Sequence, residues 1–226
     1  MHITFYGHSC FSVVVAGKTL LFDPFISPNE KADHIDLDLI SADYILLTHG
    51  HEDHIADAEA LLKSTGARLF SNFEIVCWYQ EKGFENCIAF NIGGKVTIGD
   101  MTIKYVNAVH SSALPDGSYG GNPGGFVIEA PEGSFYVSGD TGLTYDMKLL
   151  SEFHNLDWAA LCIGDNFTMG YEDAAICADW AGVSKVLGLH YDTFPQITID
   201  QAAARDHFSS KGKQLYLPAI GEGFTI

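Results

Sequence analysis

The stretch Thr48-His49-Gly50-His51-Glu52-Asp53-His54 decides how this chain is interpreted. It directly follows the apolar run Tyr44–Leu47, which predicts a buried strand. The stretch should therefore lie on the loop that leaves the carboxyl end of that strand, where ligands gather in α/β sheets. Histidine is the commonest metal ligand, and mixed imidazole and carboxylate donors suit zinc, iron or manganese. A solvated histidine-rich turn is the alternative, but it would not explain so dense a set of donors.

Three further residues each end an apolar run and complete a candidate ligand set. His110 follows the run 103–109, Asp140 follows 135–139, and His190 follows 186–189. A single histidine at a strand end is more often structural than metal-bound. Three such residues in one chain with the dense stretch favour a metal centre.

This ordered pattern resembles the metallo-β-lactamase superfamily, which shares H-x-H-x-D-H followed by a distant His, an Asp and a final His. Supporting segments span nearly the whole chain, among them 7–11, 23–25, 139–142, 164–170 and 190–195. The nearest resemblance is to bacterial and archaeal metal-dependent hydrolases related to L-ascorbate-6-phosphate lactonase.

The resemblance implies two divalent metal ions, with zinc favoured and manganese or iron also suited to the donors. One ion would be held by His49, His51 and His110, and the other by Asp53, His54 and His190, with Asp140 bridging them. Asp23 would orient a ligand rather than bind metal; its alternative is a turn-forming residue before Pro24.

The implied function is a metal-dependent hydrolase that uses a metal-bridging hydroxide on a small ester, lactone or phosphoester. A lactonase is the first expectation and a phosphodiesterase the second. A diiron redox protein is disfavoured because the diiron flavoprotein branch of the superfamily has Glu where this chain has His51. A non-catalytic metal-binding protein stays open.

Three residues are candidates for catalysis beside the metals. Asp53 could orient the nucleophile or carry a proton. His8, between the first two strands, is proposed as proton donor or substrate contact, against a structural turn histidine. Asn166, with Thr168, lies in a glycine-bounded loop and could stabilise an oxyanion, against self-bonding within the loop.

The composition limits the partners. A net charge of −17, with 12 basic against 29 acidic residues, makes duplex nucleic acid an unsuitable partner because its phosphates are bound through Lys and Arg. The longest apolar runs are strand-length, and no signal peptide is visible. Five scattered cysteines fit a reducing compartment. We therefore expect a cytoplasmic protein with a small-molecule substrate and no membrane contact; a homo-oligomer stays open.

Alternating runs predict twelve strands and five helices, with the second half repeating the order of the first. The implied architecture is α/β, a four-layer αββα sandwich forming one domain over residues 1–226. One predicted helix covers Ile55–Ser64. Another, Phe73–Lys82, is expected to turn Phe73, Val76, Cys77 and Gln80 towards the core. The glycine-rich segment Ser111–Gly124 is either a mobile lid or an ordinary connection.

Overall fold

A computed structural model describes all residues from 1 to 226. It contains fourteen strands and six α-helices. The strands are β1 (His2–Gly7), β2 (Cys10–Val15), β3 (Lys18–Phe22), β4 (Tyr44–Leu46), β5 (Arg68–Asn72), β6 (Cys87–Phe90), β7 (Lys95–Ile98), β8 (Met101–Asn107), β9 (Gly124–Ala130), β10 (Gly133–Val137), β11 (Trp158–Cys162), β12 (Lys185–Leu189), β13 (Gln214–Tyr216) and β14 (Gly223–Thr225). The helices are α1 (Glu52–Ile55), α2 (Ala58–Thr65), α3 (Phe73–Glu81), α4 (Lys148–Phe153), α5 (Tyr171–Trp180) and α6 (Gln201–Ser210).

The strands form two seven-stranded sheets with the same internal plan. The first has the order β14-β1-β2-β3-β4-β5-β6 and the second β7-β8-β9-β10-β11-β12-β13. In each sheet the first four strands pair antiparallel and the last four pair parallel, so one strand belongs to both parts. Strands β1–β6 and β8–β13 therefore form an internal repeat.

The two sheets pack face to face through aromatic side chains. Phe22 of the first sheet lies 6.2 Å, ring centre to ring centre, from both Phe126 and Phe135 of the second. Phe11 meets Trp158 edge to face at 6.5 Å. Edge-to-face contacts of this kind add to the hydrophobic gain of burying large rings. The αββα sandwich predicted from the sequence is confirmed.

The central strand β11 is buried along its whole length because both of its faces are covered. All five residues of β11 are buried, as expected for a strand between a facing sheet and a helix layer. Strand β8 instead alternates, with Met101, Ile103 and Tyr105 buried and the residues between them partly exposed. A second cluster, which includes Leu61 and Tyr79, packs the first helices on the outer face of the first sheet.

The prediction of one continuous helix over Ile55–Ser64 is wrong, because the chain forms two separate helices, α1 and α2. The Asp57 carboxylate between them accepts hydrogen bonds from the Ile26 and Ser27 amides at 2.6 and 2.9 Å. This long-range attachment fixes the loop after β3 and has no local sequence signal.

The face predicted for α3 is also partly wrong. Phe73 is 56 % exposed and Gln80 is exposed, whereas Ile75, Val76 and Tyr79 are buried. The Asn72 side chain caps the helix by accepting from the Ile75 amide at 2.9 Å. The buried face is therefore displaced from the predicted one. Strands β6 and β14, at the two edges of the first sheet, were not predicted.

Candidate metal centre

The candidate ligands all follow strands, at the carboxyl ends where the two sheets meet. The loop after β4 carries His49, His51, Asp53 and His54, with the last two opening α1. In the second sheet His110 follows β8, Asp140 follows β10, and His190 directly follows β12. The structure brings all seven residues into one cluster.

The first histidine group consists of His49, His51 and His110. His49 Nε2 lies 3.0 Å from His51 Nδ1. The ring of His110 lies 5.2 Å from that of His49 and 5.1 Å from that of His51, centre to centre. Each residue places one ring nitrogen within 4.8 Å of the other two, so one metal ion could contact all three.

The second group consists of Asp53, His54 and His190. Asp53 Oδ2 lies 3.7 Å from His190 Nε2 and 3.9 Å from His54 Nε2. His8 joins this group, because its Nε2 lies 3.0 Å from the same Asp53 oxygen. These four side chains also place one donor atom each within 4.8 Å of one another.

Asp140 lies between the two groups. Its Oδ2 is 3.0 Å from His190 Nε2, 3.3 Å from His54 Nε2, 3.6 Å from His110 Nε2 and 4.0 Å from His49 Nε2. A single buried carboxylate oxygen thus faces imidazoles of both groups. This is the position that a ligand shared between two ions would occupy.

Asp23 and Thr48 set the tautomers of two histidines. The Thr48 hydroxyl donates to Asp23 Oδ2 at 2.7 Å, so its one proton is used. His49 Nδ1 lies 3.0 Å from that hydroxyl oxygen and must donate to it. His54 Nδ1 lies 2.8 Å from Asp23 Oδ2 and also donates. Nδ1 is therefore the donor to Thr48 or Asp23 in both rings, and Nε2 is the nitrogen that faces the cluster, which is the usual arrangement around metal-bound histidine.

Three residues of the site have a left-handed backbone. The φ angles are +54° at His8, +42° at Asp23 and +57° at His190. Such angles are uncommon for residues other than glycine and cost roughly 1–3 kcal/mol each. Strained backbone of this kind concentrates at functional sites, where the surrounding fold enforces it.

The buried charges strongly perturb the titration of the cluster. Burial opposes ionisation of Asp140 and Asp53, but the surrounding imidazoles outweigh it and hold the pKa of both carboxyls well below the usual range. Burial lowers the pKa of His8 to about 4 and that of His49 well below its usual value. For His190 burial acts in the same direction, but the Asp140 carboxylate prevails and raises the pKa to about 9.

The donor set fits divalent metal ions. His54 Nε2 and Asp140 Oδ1 are buried without a hydrogen-bond partner, a costly state for polar atoms unless something else binds them. Five imidazoles and two carboxylates converge, which are donors suited to zinc, manganese or iron. Binding of a metal ion would satisfy these two atoms.

Two other candidate residues have different surroundings. His8 is fully buried beside Asp53, and its Nδ1 lies 2.9 Å from the Thr193 hydroxyl. Asn166 is exposed in the turn between Gly164 and Gly170, and no hydrogen bond joins its side chain to the cluster. Its role in catalysis stays a prediction. Thr48 and Thr193 were missed by sequence reasoning, although each lies within three residues of a candidate histidine.

The Ser111–Gly124 segment is held in place by hydrogen bonds. The Asn72 amide donates to the Gly120 carbonyl at 2.7 Å, and the Ser112 hydroxyl oxygen accepts from the Gly50 backbone amide at 3.0 Å. Leu114, which belongs to the segment, is buried. These contacts favour the ordinary connection over the mobile lid.

Comparison with known proteins identifies the family. The β-lactamase superfamily domain matches residues 2–190. The chain belongs to the metallo-β-lactamase superfamily. Within it, the chain is 50 % identical over 226 residues, covering all of both proteins, to a UPF0173 metal-dependent hydrolase of Flavobacterium johnsoniae. It thus belongs to the same family of metal-dependent hydrolases.

Solved structures agree with the fold. The metallo hydrolase Igni18 of Ignicoccus hospitalis superposes with a TM-score of 0.89 at 33 % identity, covering all of this chain and 98 % of that one. An isothiocyanate hydrolase from Delia radicum gut bacteria superposes with a TM-score of 0.80, covering all of this chain and 99 % of that one. Its identity is 19 %, so this likeness concerns the fold alone. In the present chain, no helix is long and apolar enough to cross a bilayer.

Proposed function

We propose that the protein is a dinuclear metal-dependent hydrolase acting on a small ester, lactone or phosphoester. The observation that carries this proposal is the position of Asp140, whose Oδ2 lies within 4.0 Å of four imidazole nitrogens drawn from both groups. A carboxylate in this position can bind two ions at once, as in two-metal hydrolases.

In this proposal the first group, His49, His51 and His110, holds one ion. The second group, Asp53, His54 and His190, holds the other, and Asp140 contacts both. The donors favour zinc, with manganese or iron as alternatives. When bound, such a pair lowers the pKa of a shared water towards neutrality and polarises a carbonyl or phosphoryl oxygen.

The protein's own side chains determine where substrate can approach. The side chains of His49, His54, Asp140 and His190 are almost fully buried, whereas those of Asp53 and His110 are 27 % and 14 % exposed. Substrate therefore reaches the centre from the side of Asp53, His51 and His110. Asp53 is the group placed to orient a nucleophile or to carry a proton between steps.

The charge of the protein favours a small substrate, and the resemblance to the lactonase family gives the order of the candidates. With a net charge of −17, the protein repels long polyanions, so a small molecule is favoured over nucleic acid. A lactone is the first expectation and a phosphodiester the second. We also propose a cytoplasmic location, based on the scattered free cysteines.

The test is a turnover screen of metal-reconstituted protein. The protein is loaded in turn with zinc, manganese and iron(II), then assayed on lactones, aryl esters, thioesters and phosphodiesters. We expect turnover on at least one class, abolished by a chelator and restored by metal. Full metal occupancy with no hydrolysis across the panel would leave only a metal-binding role. Turnover that requires iron and consumes oxygen would favour a redox protein instead.

A further inference from the structure

His8 has the surroundings of a metal ligand. Its side chain is fully buried, and its Nε2 lies 3.0 Å from Asp53 Oδ2. It shares a group with Asp53, His54 and His190 in which all four donor atoms lie within 4.8 Å of one another. We propose that His8 Nε2 is a further ligand of the second metal ion, an assignment that rests on the proposed function.

The distances between neighbouring donors fit ligands of one ion. With metal–donor distances of about 2.1 Å, donors at right angles lie about 3.0 Å apart and donors at 120° about 3.6 Å apart. Asp53 Oδ2 lies 3.7 and 3.9 Å from His190 Nε2 and His54 Nε2, close to the wider of these two spacings.

Two further donors lie close to these atoms. Asp140 Oδ2 lies 3.0 and 3.3 Å from the Nε2 atoms of His190 and His54. His8 Nε2 lies 3.0 Å from Asp53 Oδ2, which is the spacing of two donors at right angles on one ion. His8 can therefore share an ion with Asp53, His54 and His190.

The hydrogen bond on the other side of the His8 ring agrees with this role. The Thr193 hydroxyl oxygen lies 2.9 Å from His8 Nδ1, and it donates to the Tyr191 carbonyl at 3.4 Å. When that proton is used in this way, the oxygen can accept from His8 Nδ1–H, which leaves the Nε2 lone pair for a metal ion. A similar pair of hydrogen bonds, through Thr48 to Asp23, sets the tautomer of His49. Metal-bound histidines generally donate their other ring N–H in this way.

The internal repeat points in the same direction. His8 follows β1, the first strand of the repeat in the first sheet, and His110 follows β8, its counterpart in the second. His110 belongs to the first histidine group. Each half would then supply one imidazole from this position, and each ion would have three histidines.

The competing role for His8 is a hydrogen bond from Nε2–H that positions Asp53. The substitution His8→Gln separates the two roles, because a glutamine amide can still donate to Asp53 but replaces the imidazole nitrogen. His154→Gln is the matched control. His154 is also largely buried and bonded to a carboxylate, with Nδ1 2.9 Å from Glu129 Oε1, but it lies outside the cluster.

The experiment measures zinc binding by chelator competition for the wild-type protein and both variants. It is combined with a crystal structure of the cobalt-loaded wild-type protein, in which anomalous scattering locates the ions. We expect His8→Gln to weaken one of the two ions at least about tenfold and His154→Gln to weaken neither. The map should place an ion about 2.0–2.3 Å from His8 Nε2.

Two results would overturn the assignment alone: wild-type affinity for both ions in His8→Gln, or an ion more than about 3 Å from His8 Nε2, well beyond a metal–nitrogen bond. Fewer than two ions in the reconstituted wild-type protein would overturn the proposed function together with this assignment.

Discussion

The two halves of the molecule share one strand plan but distribute their polar residues differently. The first half gathers four candidate ligands on the single loop after β4, whereas the second half places one each after β8, β10 and β12. The loop after β11, which corresponds to the loop after β4, contributes none and carries the exposed Asn166.

Equivalent positions also differ in role. Asp23 follows β3 in the first half, and Asp140 follows β10, its counterpart, in the second. Asp23 accepts hydrogen bonds from His54 and Thr48, whereas Asp140 lies among the imidazoles themselves. The aspartate of the first half thus orients a histidine, whereas we propose that the aspartate of the second half binds metal.

The largest effect is expected for Asp140→Ala. Without the carboxylate between the two groups, neither ion has its shared ligand, so we expect both ions and all turnover to be lost. Metal content by elemental mass spectrometry and a turnover assay check this. Asp173→Ala, on the exposed face of α5, is the control and should match the wild-type protein. Retention of metal and turnover in Asp140→Ala would remove the dinuclear mechanism.

A smaller effect is expected for Asp23→Asn, the counterpart position. The amide places a donor group near the Nδ1–H of His54 or the Thr48 hydroxyl, and the histidine tautomers are no longer fixed. Loss of such an orienting partner typically weakens metal binding 10–100-fold. Chelator competition measures the change. Wild-type affinity would mean that Asp23 is only a turn residue, and complete loss of metal would make the two aspartates equivalent.

Metal affinity should rise with pH. Without metal, the Asp140 carboxylate raises the pKa of His190, in the second half, to about 9. The same carboxylate also raises the pKa of His54. With a pKa of about 9, His190 is protonated at neutral pH and must release a proton to bind metal. Each proton released makes the affinity about tenfold weaker for each pH unit lost. Calorimetry in buffers of different ionisation enthalpy measures the number of protons that metal binding releases. Binding without proton release would contradict this account.

The smallest effect concerns the cysteines and tests the packing of the two halves. Cys162 and Cys177 of the second half and Cys10 of the first are buried, whereas Cys77 and Cys87 are partly exposed. Burial raises the pKa of Cys162 to about 11, which further suppresses its thiolate. We expect a thiol reagent to label at most two cysteines in the native protein and all five after denaturation. Rapid labelling of a third would contradict the packing described.

The sequence predicted most of the site because ligands at strand ends leave a local signal. The loop after β4 is visible as a dense cluster, and His110, Asp140 and His190 are visible because each ends an apolar run. Long-range contacts leave no such signal. The attachment of Asp57 to Ile26 divided a predicted helix, and the contact of Thr193 with His8 joins residues 185 positions apart. Strands β6 and β14 were also missed; they pair with β5 and β1 at the two edges of the first sheet.

Metal content per chain of the purified and reconstituted protein tests the central claim most directly. The account predicts about two divalent ions per chain, one for each group with Asp140 between them. One ion or none after reconstitution would contradict it, because the cluster would then not hold two ions and the dinuclear chemistry proposed here could not operate.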